Sequence, residues 1–214
     1  VSIAEKHIEG VCSPMEGRHG CYVLLEFGSS DADADLNALM EKVLGDAFED
    51  MVIEDAVIAQ SGAQADGLWK IREAIPEAQK KEGGSIKHDV AVPVSKTPEM
   101  IARATELVEK LIPGVRVVAF GHLGDGNIHF NLTQPGNADK AEFLSHWHAV
   151  NEQVHDLVVA MGGSFSAEHG VGQLKTGEMA RFKSEVELDL MRTLKNALDP
   201  QNLLNPGKVL PPQK

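Results

Sequence analysis

The sequence has few cysteines, few basic residues and no long hydrophobic run, and each shortage excludes a class of protein. Its 214 residues contain 2 cysteines, which do not form a CxxC pair. A disulfide framework is therefore excluded, and we expect an intracellular, cytoplasmic protein. No stretch approaches the roughly 18 uninterrupted apolar residues of a membrane-spanning helix. The 20 Lys and Arg residues against 32 Asp and Glu give a net charge of −12, which argues against a nucleic-acid partner.

Several common catalytic motifs are also missing. The chain has no HExxH of zinc proteases, no GxSxG of serine hydrolases and no GxGxxG after a predicted strand. The hydrophobic content of 43% and charged content of 24% are ordinary for a folded protein. The length suits one large domain or two small ones, and we predict one domain over 1–214. Because the chain begins with Val1, we expect it to be a piece of a longer protein.

Hydrophobic periodicity predicts alternating strands and helices. The predicted strands cover 21–27, 52–60, 86–94, 115–120 and 128–133. The predicted helices cover 34–49, 63–75, the segment from Thr97 to Pro113, 139–161 and 184–198. This order predicts an α+β fold with an antiparallel or mixed sheet, helices on one face in a ferredoxin-like arrangement, and a largely helical C-terminal annex.

The densest group of chemically useful residues is GHLGDGNIH, residues 121–129. Asp125-Gly126 favours a two-residue hairpin turn, which would place His122 directly opposite His129. Two imidazoles placed in this way can bind one metal ion. A wider loop would loosen that geometry, and the alternative is that both rings are polar neighbours on a half-solvated sheet.

A third ligand is available in SAEHGVG, residues 166–172. Two histidines and Glu168 would form a three-ligand set with an open coordination position, as in catalytic zinc sites. Adjacent side chains of an extended segment point to opposite sides. Glu168 can therefore reach a metal ion while His169 faces something else.

Together with the C-terminal LDPQNLLNPGKVLP, these two motifs resemble one family. This family comprises the FAD-linked D-2-hydroxyacid dehydrogenases of the vanillyl-alcohol oxidase type. Its members include D-lactate dehydrogenase, the FAD subunit of glycolate oxidase and D-2-hydroxyglutarate dehydrogenase. The resemblance begins near Tyr22 and covers the C-terminal half of such enzymes. It implies an oxidoreductase fragment whose partner is the N-terminal FAD domain of the same polypeptide. Because FAD is bound mainly by that N-terminal domain, we expect the isolated chain to be inactive.

The resemblance also implies metal and catalytic roles for four residues. His122 and His129 match the metal-binding histidines, and Glu168 matches the acidic third ligand. The metal is then a divalent ion, zinc or manganese, which His and carboxylate ligands both suit. His169 matches the general base that takes the proton of the substrate hydroxyl.

Four further residues match positions near the substrate or the flavin. Arg72 and Lys87 match residues that bind the substrate carboxylate, and Asn205 and Lys208 match the terminal segment that approaches the flavin. Pro76 departs from the family, because some members carry a hydroxyl residue there that helps to bind a longer diacid. This departure puts 2-hydroxyglutarate itself in doubt as the substrate.

Other interpretations remain open at the level of sequence. One is a stand-alone divalent-metal or small-acid-binding module without redox activity, and another is an interaction subunit that docks a partner at a sheet edge. A homodimer and a membrane-associated or mitochondrial parent protein are further alternatives.

Overall fold

Eight α-helices and three β-strands form the regular structure of residues 1–212, the part of the chain that this computed structural model describes. The helices are α1 (Ser2–His7), α2 (Leu36–Glu49), α3 (Gly62–Lys80), α4 (Thr97–Leu111), α5 (Lys140–Ser145), α6 (Trp147–Ala160), α7 (Thr176–Phe182) and α8 (Glu185–Leu198). The strands are β1 (Ser85–Ala91), β2 (Arg116–His122) and β3 (Asn127–Thr133). The predicted α+β class is confirmed. In the described residues, no helix combines the length and the apolar character that a membrane crossing requires.

The chain divides into two compact units, Val1–Glu82 and Gly83–Lys214. The first unit contains α1 to α3, with a small core of buried apolar residues from α1, α3 and the segment after α1: Ala4, Val11, Ile71, Ala74 and Ala78. The strands predicted at 21–27 and 52–60 are wrong, because neither segment forms a strand. Both have apolar residues, but a strand needs a neighbour for its hydrogen bonds, and these segments are paired with none.

Helix α3 continues beyond its predicted end at Pro76. Ser61 caps its N-terminus by accepting a hydrogen bond from the Gln64 backbone N–H at 3.3 Å. The proline removes one internal hydrogen bond, yet the helix runs on to Lys80. Ala78 and Gln79, both fully buried, lie in this last turn, so tertiary packing outweighs the local preference to end at proline.

The second unit is built on a three-stranded antiparallel sheet in the order β1-β3-β2. Because β1 and β2 both run antiparallel to β3, they are parallel to each other, and α4 connects them. The result is a split βαβ unit with β3 inserted in the middle. The three strands agree with the predictions at 86–94, 115–120 and 128–133, with shifted ends.

One face of this sheet packs against helices to form the main core. Ile128, Phe130 and Leu132 of β3 point to this face and contact the apolar stripes of α4 and α6. The helix predicted at 139–161 is two helices, α5 and α6, that meet at His146. Their apolar periodicity continues across the break, so the pattern alone did not reveal it.

The turn between β2 and β3 differs from the predicted two-residue turn. Leu123–Asp125 forms a short 3-10 turn and Gly126 adopts the left-handed conformation, so the loop has four residues. His122 therefore pairs with Asn127, and His129 pairs with Phe120. The predicted His122–His129 pairing is wrong by two residues. A shift of two keeps every side chain on its predicted face, so the two histidines still share a face.

Two histidines are buried within the second unit. His88 lies on the core face of β1, where its Nδ1 is 2.8 Å from the Phe130 carbonyl oxygen. The His155 ring on α6 meets the His88 ring edge-on, with centroids 5.8 Å apart. Burial, together with a smaller contribution from the charge of Lys175, lowers the pKa of each ring to about 4, although the Phe130 carbonyl oxygen partly opposes this at His88. Both rings are therefore neutral at pH 7.

The lowered pKa of His155 makes stability depend on pH. The unfolded chain binds more protons than the folded chain between pH 6.5 and pH 4, so the free energy of unfolding should fall as the pH drops through this range. The loss due to this one ring is on the order of 3 kcal/mol. Lys175 and Arg181 add to the effect, whereas Asp156 and Glu178, whose Oε1 lies 3.3 Å from the His155 Nδ1, oppose it.

Equilibrium unfolding in urea at several pH values measures this loss. The His155→Gln variant should lose less stability over the same range, and the His148→Gln variant, which changes an exposed ring on the same helix, should behave like the wild type. Equal pH dependence in all three proteins would contradict the assignment.

The two glycines of the hairpin loop should respond differently to substitution. Gly126 has φ +65°, and a Cβ there would lie 1.9 Å from the backbone oxygen of Val92. We expect Gly126→Ala to lower the free energy of unfolding by at least about 2 kcal/mol. A Cβ at Gly124 meets nothing within 4 Å, so Gly124→Ala should stay within about 0.5 kcal/mol of the wild type. Chemical denaturation measures both, and equal stability would show that the loop conformation is wrong.

Candidate functional site

The sheet face opposite the core carries a row of site residues. The β1–β3 register places Asp89 opposite His129, and the β2–β3 register places Phe120 on the other side of His129. The Phe120 and His129 rings are in contact, with centroids 5.0 Å apart. Lys87 lies two residues from Asp89 and so projects from the same face. The strand register thus fixes the floor of the site.

The segment that follows α6 runs along the outer edge of β1. Ala91 and Ser164 exchange two backbone hydrogen bonds of 3.0 and 2.8 Å, and the Ala167 N–H donates to the Asp89 carbonyl oxygen at 3.2 Å. Gly163 is required at this contact, since a Cβ there would lie 2.2 Å from the Ala91 oxygen. Lys175 also supports the segment by donating to the Phe165 carbonyl oxygen at 2.9 Å. These bonds bring residues 168 and 169 over the sheet.

Four predicted site residues meet at this point. The Glu168 Oε1 lies 2.9 Å from the His129 Nε2, and the Glu168 Oε2 lies 4.0 Å from the His122 Nδ1. The His169 ring stacks on the His129 ring, with centroids 5.5 Å apart, and its Nε2 is 3.9 Å from the Glu168 Oε1. The carboxylate is therefore within reach of both predicted metal-binding rings. The roles of metal ligand and base stay predictions.

Asp89 lies beneath this group and is almost fully buried, at 3% exposure. Its Oδ2 accepts the backbone N–H groups of Glu168 and His169 at 2.9 and 2.8 Å, and its Oδ1 accepts from the Asn127 Nδ2 at 3.1 Å. Burial opposes ionisation of this carboxyl, but the donated hydrogen bonds and the His169 ring outweigh it and lower its pKa. Asp89 is thus a charged group inside the protein.

The donor atoms suit a divalent metal ion. Ligand atoms of Asp89, His129, Glu168 and His169 all lie within 4.8 Å of one another. His122 is outside this closest group but faces the second oxygen of Glu168. Imidazole nitrogens with carboxylate oxygens are ligands that zinc, manganese and iron accept. The chemistry of the donor set therefore fits the metal that the sequence implies.

The other predicted residues have more varied positions. Lys87 is exposed on the site face of β1, and Arg72 is half-buried on α3 of the first unit. Asn205 and Lys208 are exposed in the C-terminal tail. The Val209 N–H donates to the Gly172 carbonyl oxygen at 2.7 Å, so this tail reaches the glycine-rich loop that follows His169.

Sequence reasoning missed Asp89, Asn127 and Lys175. Asp89 stands in the predicted third strand, where aspartate is uncommon, and it shares a face with Lys87 by the two-residue repeat of a strand. That anomaly was the available signal. Lys175 lies in the segment 170–176, whose glycine and lysine spacing does not match a phosphate-binding loop. Nothing in this pattern indicates that Lys175 donates to the carbonyl oxygen of Phe165 and the hydroxyl of Ser166.

Curated relatives are similar to this chain over nearly all of its length. D-2-hydroxyglutarate dehydrogenase of Xanthomonas citri pv. viticola is 37% identical over 204 residues, which cover 94% of this chain and 42% of the relative. Mitochondrial D-2-hydroxyglutarate dehydrogenase of Arabidopsis thaliana is 37% identical over 205 residues, covering 96% and 35%. D-2-hydroxyglutarate–pyruvate transhydrogenase of Saccharomyces cerevisiae is 30% identical over 212 residues, covering 96% and 42%. The chain thus spans well under half the length of these relatives.

A family model described as "FAD linked oxidases, C-terminal domain" matches residues 1–209. The match includes both compact units and every predicted site residue. The chain belongs to the FAD-linked oxidase family, as a C-terminal domain of that family.

Proposed function

We propose that this chain is the substrate-binding cap domain of an FAD-dependent oxidoreductase that oxidises a D-2-hydroxyacid to a 2-oxoacid with the help of a divalent metal ion. The observation that carries the proposal is the meeting of His122, His129, Glu168 and His169 on one face of the sheet. Membership of the FAD-linked oxidase family supports the redox role.

The proposed metal ligands are His122, His129 and Glu168. Nitrogen atoms of the two histidine rings lie 4.0 and 2.9 Å from the Glu168 carboxylate, which is half-exposed and so accessible to an ion and a small substrate. A zinc or manganese ion held there would supply a Lewis acid that lowers the pKa of a hydroxyl group bound to it.

His169 is the proposed general base. Its side chain is 65% exposed, so its ring can meet a substrate that lies above the sheet. An imidazole can take a proton near neutral pH, and the proton here is that of the substrate hydroxyl. FAD held by the N-terminal domain would accept the hydride of the α-carbon, so that loss of this hydride and of the hydroxyl proton to His169 would turn the 2-hydroxyacid into a 2-oxoacid.

Arg72 and Lys87 are the proposed partners of the substrate carboxylate. A guanidinium group binds a carboxylate through two parallel hydrogen bonds, and Lys87 projects from the site face. The tail that carries Asn205 and Lys208 is proposed to approach the flavin.

The proposed substrate class includes lactate, glycolate and 2-hydroxyglutarate. The three relatives described above are named for D-2-hydroxyglutarate. Pro76, however, lacks the hydroxyl group that the family resemblance associates with binding of the longer diacid.

Elemental analysis of the purified protein tests the metal site. We expect about one zinc or manganese ion per chain, with the metal lost in the His122→Ala and Glu168→Ala variants because each loses one of three ligands. His148→Ala, which removes an exposed ring on α6, is the control and should keep the metal. Metal retained in both site variants would remove these residues from the ligand set.

Turnover with an artificial electron acceptor tests the reaction. The protein that includes the FAD domain should oxidise D-2-hydroxyacids, and His169→Gln should lower kcat by about 10²- to 10⁴-fold, the usual contribution of a general base. Its metal content should be unchanged, because the base is not a ligand in this proposal.

The chain without the FAD domain separates the redox enzyme from a stand-alone metal-binding module. It should bind the metal, since all three proposed ligands lie in the Gly83–Lys214 unit, but should show no turnover. Turnover by this chain alone would place the reaction at another centre. Metal binding together with an inactive FAD-containing protein would favour the module.

A further inference from the structure

Asp89 stands within the group of possible ligands, but its oxygen atoms are already occupied. The Oδ2 accepts two backbone N–H groups and the Oδ1 accepts the Asn127 amide, all between 2.8 and 3.1 Å. Three donors therefore converge on a carboxylate that is 3% exposed. Three of the roughly four acceptor sites of this carboxylate are thus taken, which leaves little capacity for a metal ion.

The same carboxylate holds the segment that carries two half-exposed or exposed site residues. The side chains of Glu168 and His169 are 46% and 65% exposed, so few packing contacts fix them. Their backbone is fixed by the two N–H bonds to Asp89, and hydrogen bonds to a charged acceptor are about twice as strong as neutral ones. Asp89 itself lies in the centre of a paired strand, opposite His129.

Both rings also face Asp89 with the same nitrogen. The Nδ1 of His129 lies 3.8 Å from Oδ1, and the Nδ1 of His169 lies 3.8 Å from Oδ2. These distances exceed a hydrogen bond, so the carboxylate acts on the rings through its charge. The Nε2 atoms point to Glu168 instead, at 2.9 and 3.9 Å.

We propose that Asp89 is a positioning residue and not a metal ligand: its buried carboxylate anchors the Glu168–His169 backbone over β3 and so places the ligand Glu168 and the base His169. The inference rests on the proposed function, because it assigns Glu168 and His169 the roles given there. Asp89 acts on the metal through these residues, as outer-shell groups do in other metal sites.

Two substitutions separate anchoring from coordination. Asp89→Ala removes every acceptor. Asp89→Asn keeps one oxygen for the two N–H groups. Its NH2 would face the Asn127 Nδ2, so the Asn127 side-chain amide must turn over and accept through its Oδ1, which is buried and lacks a hydrogen-bond partner in the described structure. The asparagine should therefore preserve the anchor without the charge, although an amide is a poor ligand for a hard divalent ion.

Hydrogen exchange of backbone amides tests the anchor without any metal. In the wild type the Glu168 and His169 amides should exchange slowly, since each is bonded to a buried acceptor. Asp89→Ala should abolish this protection, whereas Asp89→Asn should keep most of it. Fast exchange of both amides in the wild type, or full protection in Asp89→Ala, would overturn the proposal.

Cobalt(II) titration, followed by visible absorption, tests the consequence for the metal site. Asp89→Ala should raise the Kd by about 10- to 100-fold, the usual cost of losing an outer-shell group. Asp89→Asn should stay within about 10-fold of the wild type and keep its spectrum, because the ligands are unchanged. Val108→Ala, which opens a cavity in the core on α4, is the control for destabilisation and should leave the Kd unchanged.

Each contrary outcome has a separate meaning. If Asp89→Asn binds cobalt as weakly as Asp89→Ala does and its visible spectrum is altered, Asp89 is a ligand and the proposal is overturned. If the Kd rises equally in Val108→Ala, the effect of Asp89 is one of general stability, and the proposal is again overturned. If the wild type binds no cobalt while the exchange results hold, the metal-assisted function fails and the anchor stands.

Discussion

The antiparallel register of β1 and β3 is the constraint on which the site depends. It places Asp89 opposite His129 on one face and His88 opposite Phe130 on the other. A slip of one residue would exchange these faces and bring Asp89 into the apolar core. The His88 Nδ1 lies 2.8 Å from the Phe130 carbonyl oxygen, within the buried face, and this polar contact together with the apolar residues around it favours a single register.

The two faces of the sheet are stabilised by different forces. The core face packs apolar residues of β1 and β3 against α4 and α6, so its free energy comes from burial. The site face is partly exposed. Above it, the loop after α6 is held by hydrogen bonds with Ala91 and Asp89, and within the loop Lys175 donates to the Phe165 carbonyl oxygen. Polar, directional bonds thus fix the positions of Glu168 and His169 while their side chains stay partly exposed.

Charge places a further demand on this site. The chain carries a net charge of −12, and two of its carboxylates, those of Asp89 and Glu168, lie at the point where an anionic acid is proposed to bind. Without compensation these charges would repel such a substrate. A divalent cation among the ligands would balance both carboxylates, so the same ion that fits the donor atoms also suits the electrostatics.

The sequence determined the residue types of the site and the α+β class. It also determined that His122 and His129 share a face, because the alternation of side chains along a strand is unchanged when the loop is two residues longer than predicted. It did not determine which apolar segments would find a strand partner, and so 21–27 and 52–60 were wrongly predicted. Only the tertiary structure revealed Asp89, whose carboxylate binds the His169 backbone 80 positions away along the chain. Local patterns encode faces and periodicity, whereas a bond between distant backbone and side-chain atoms exists only after the sheet and the loop have folded together.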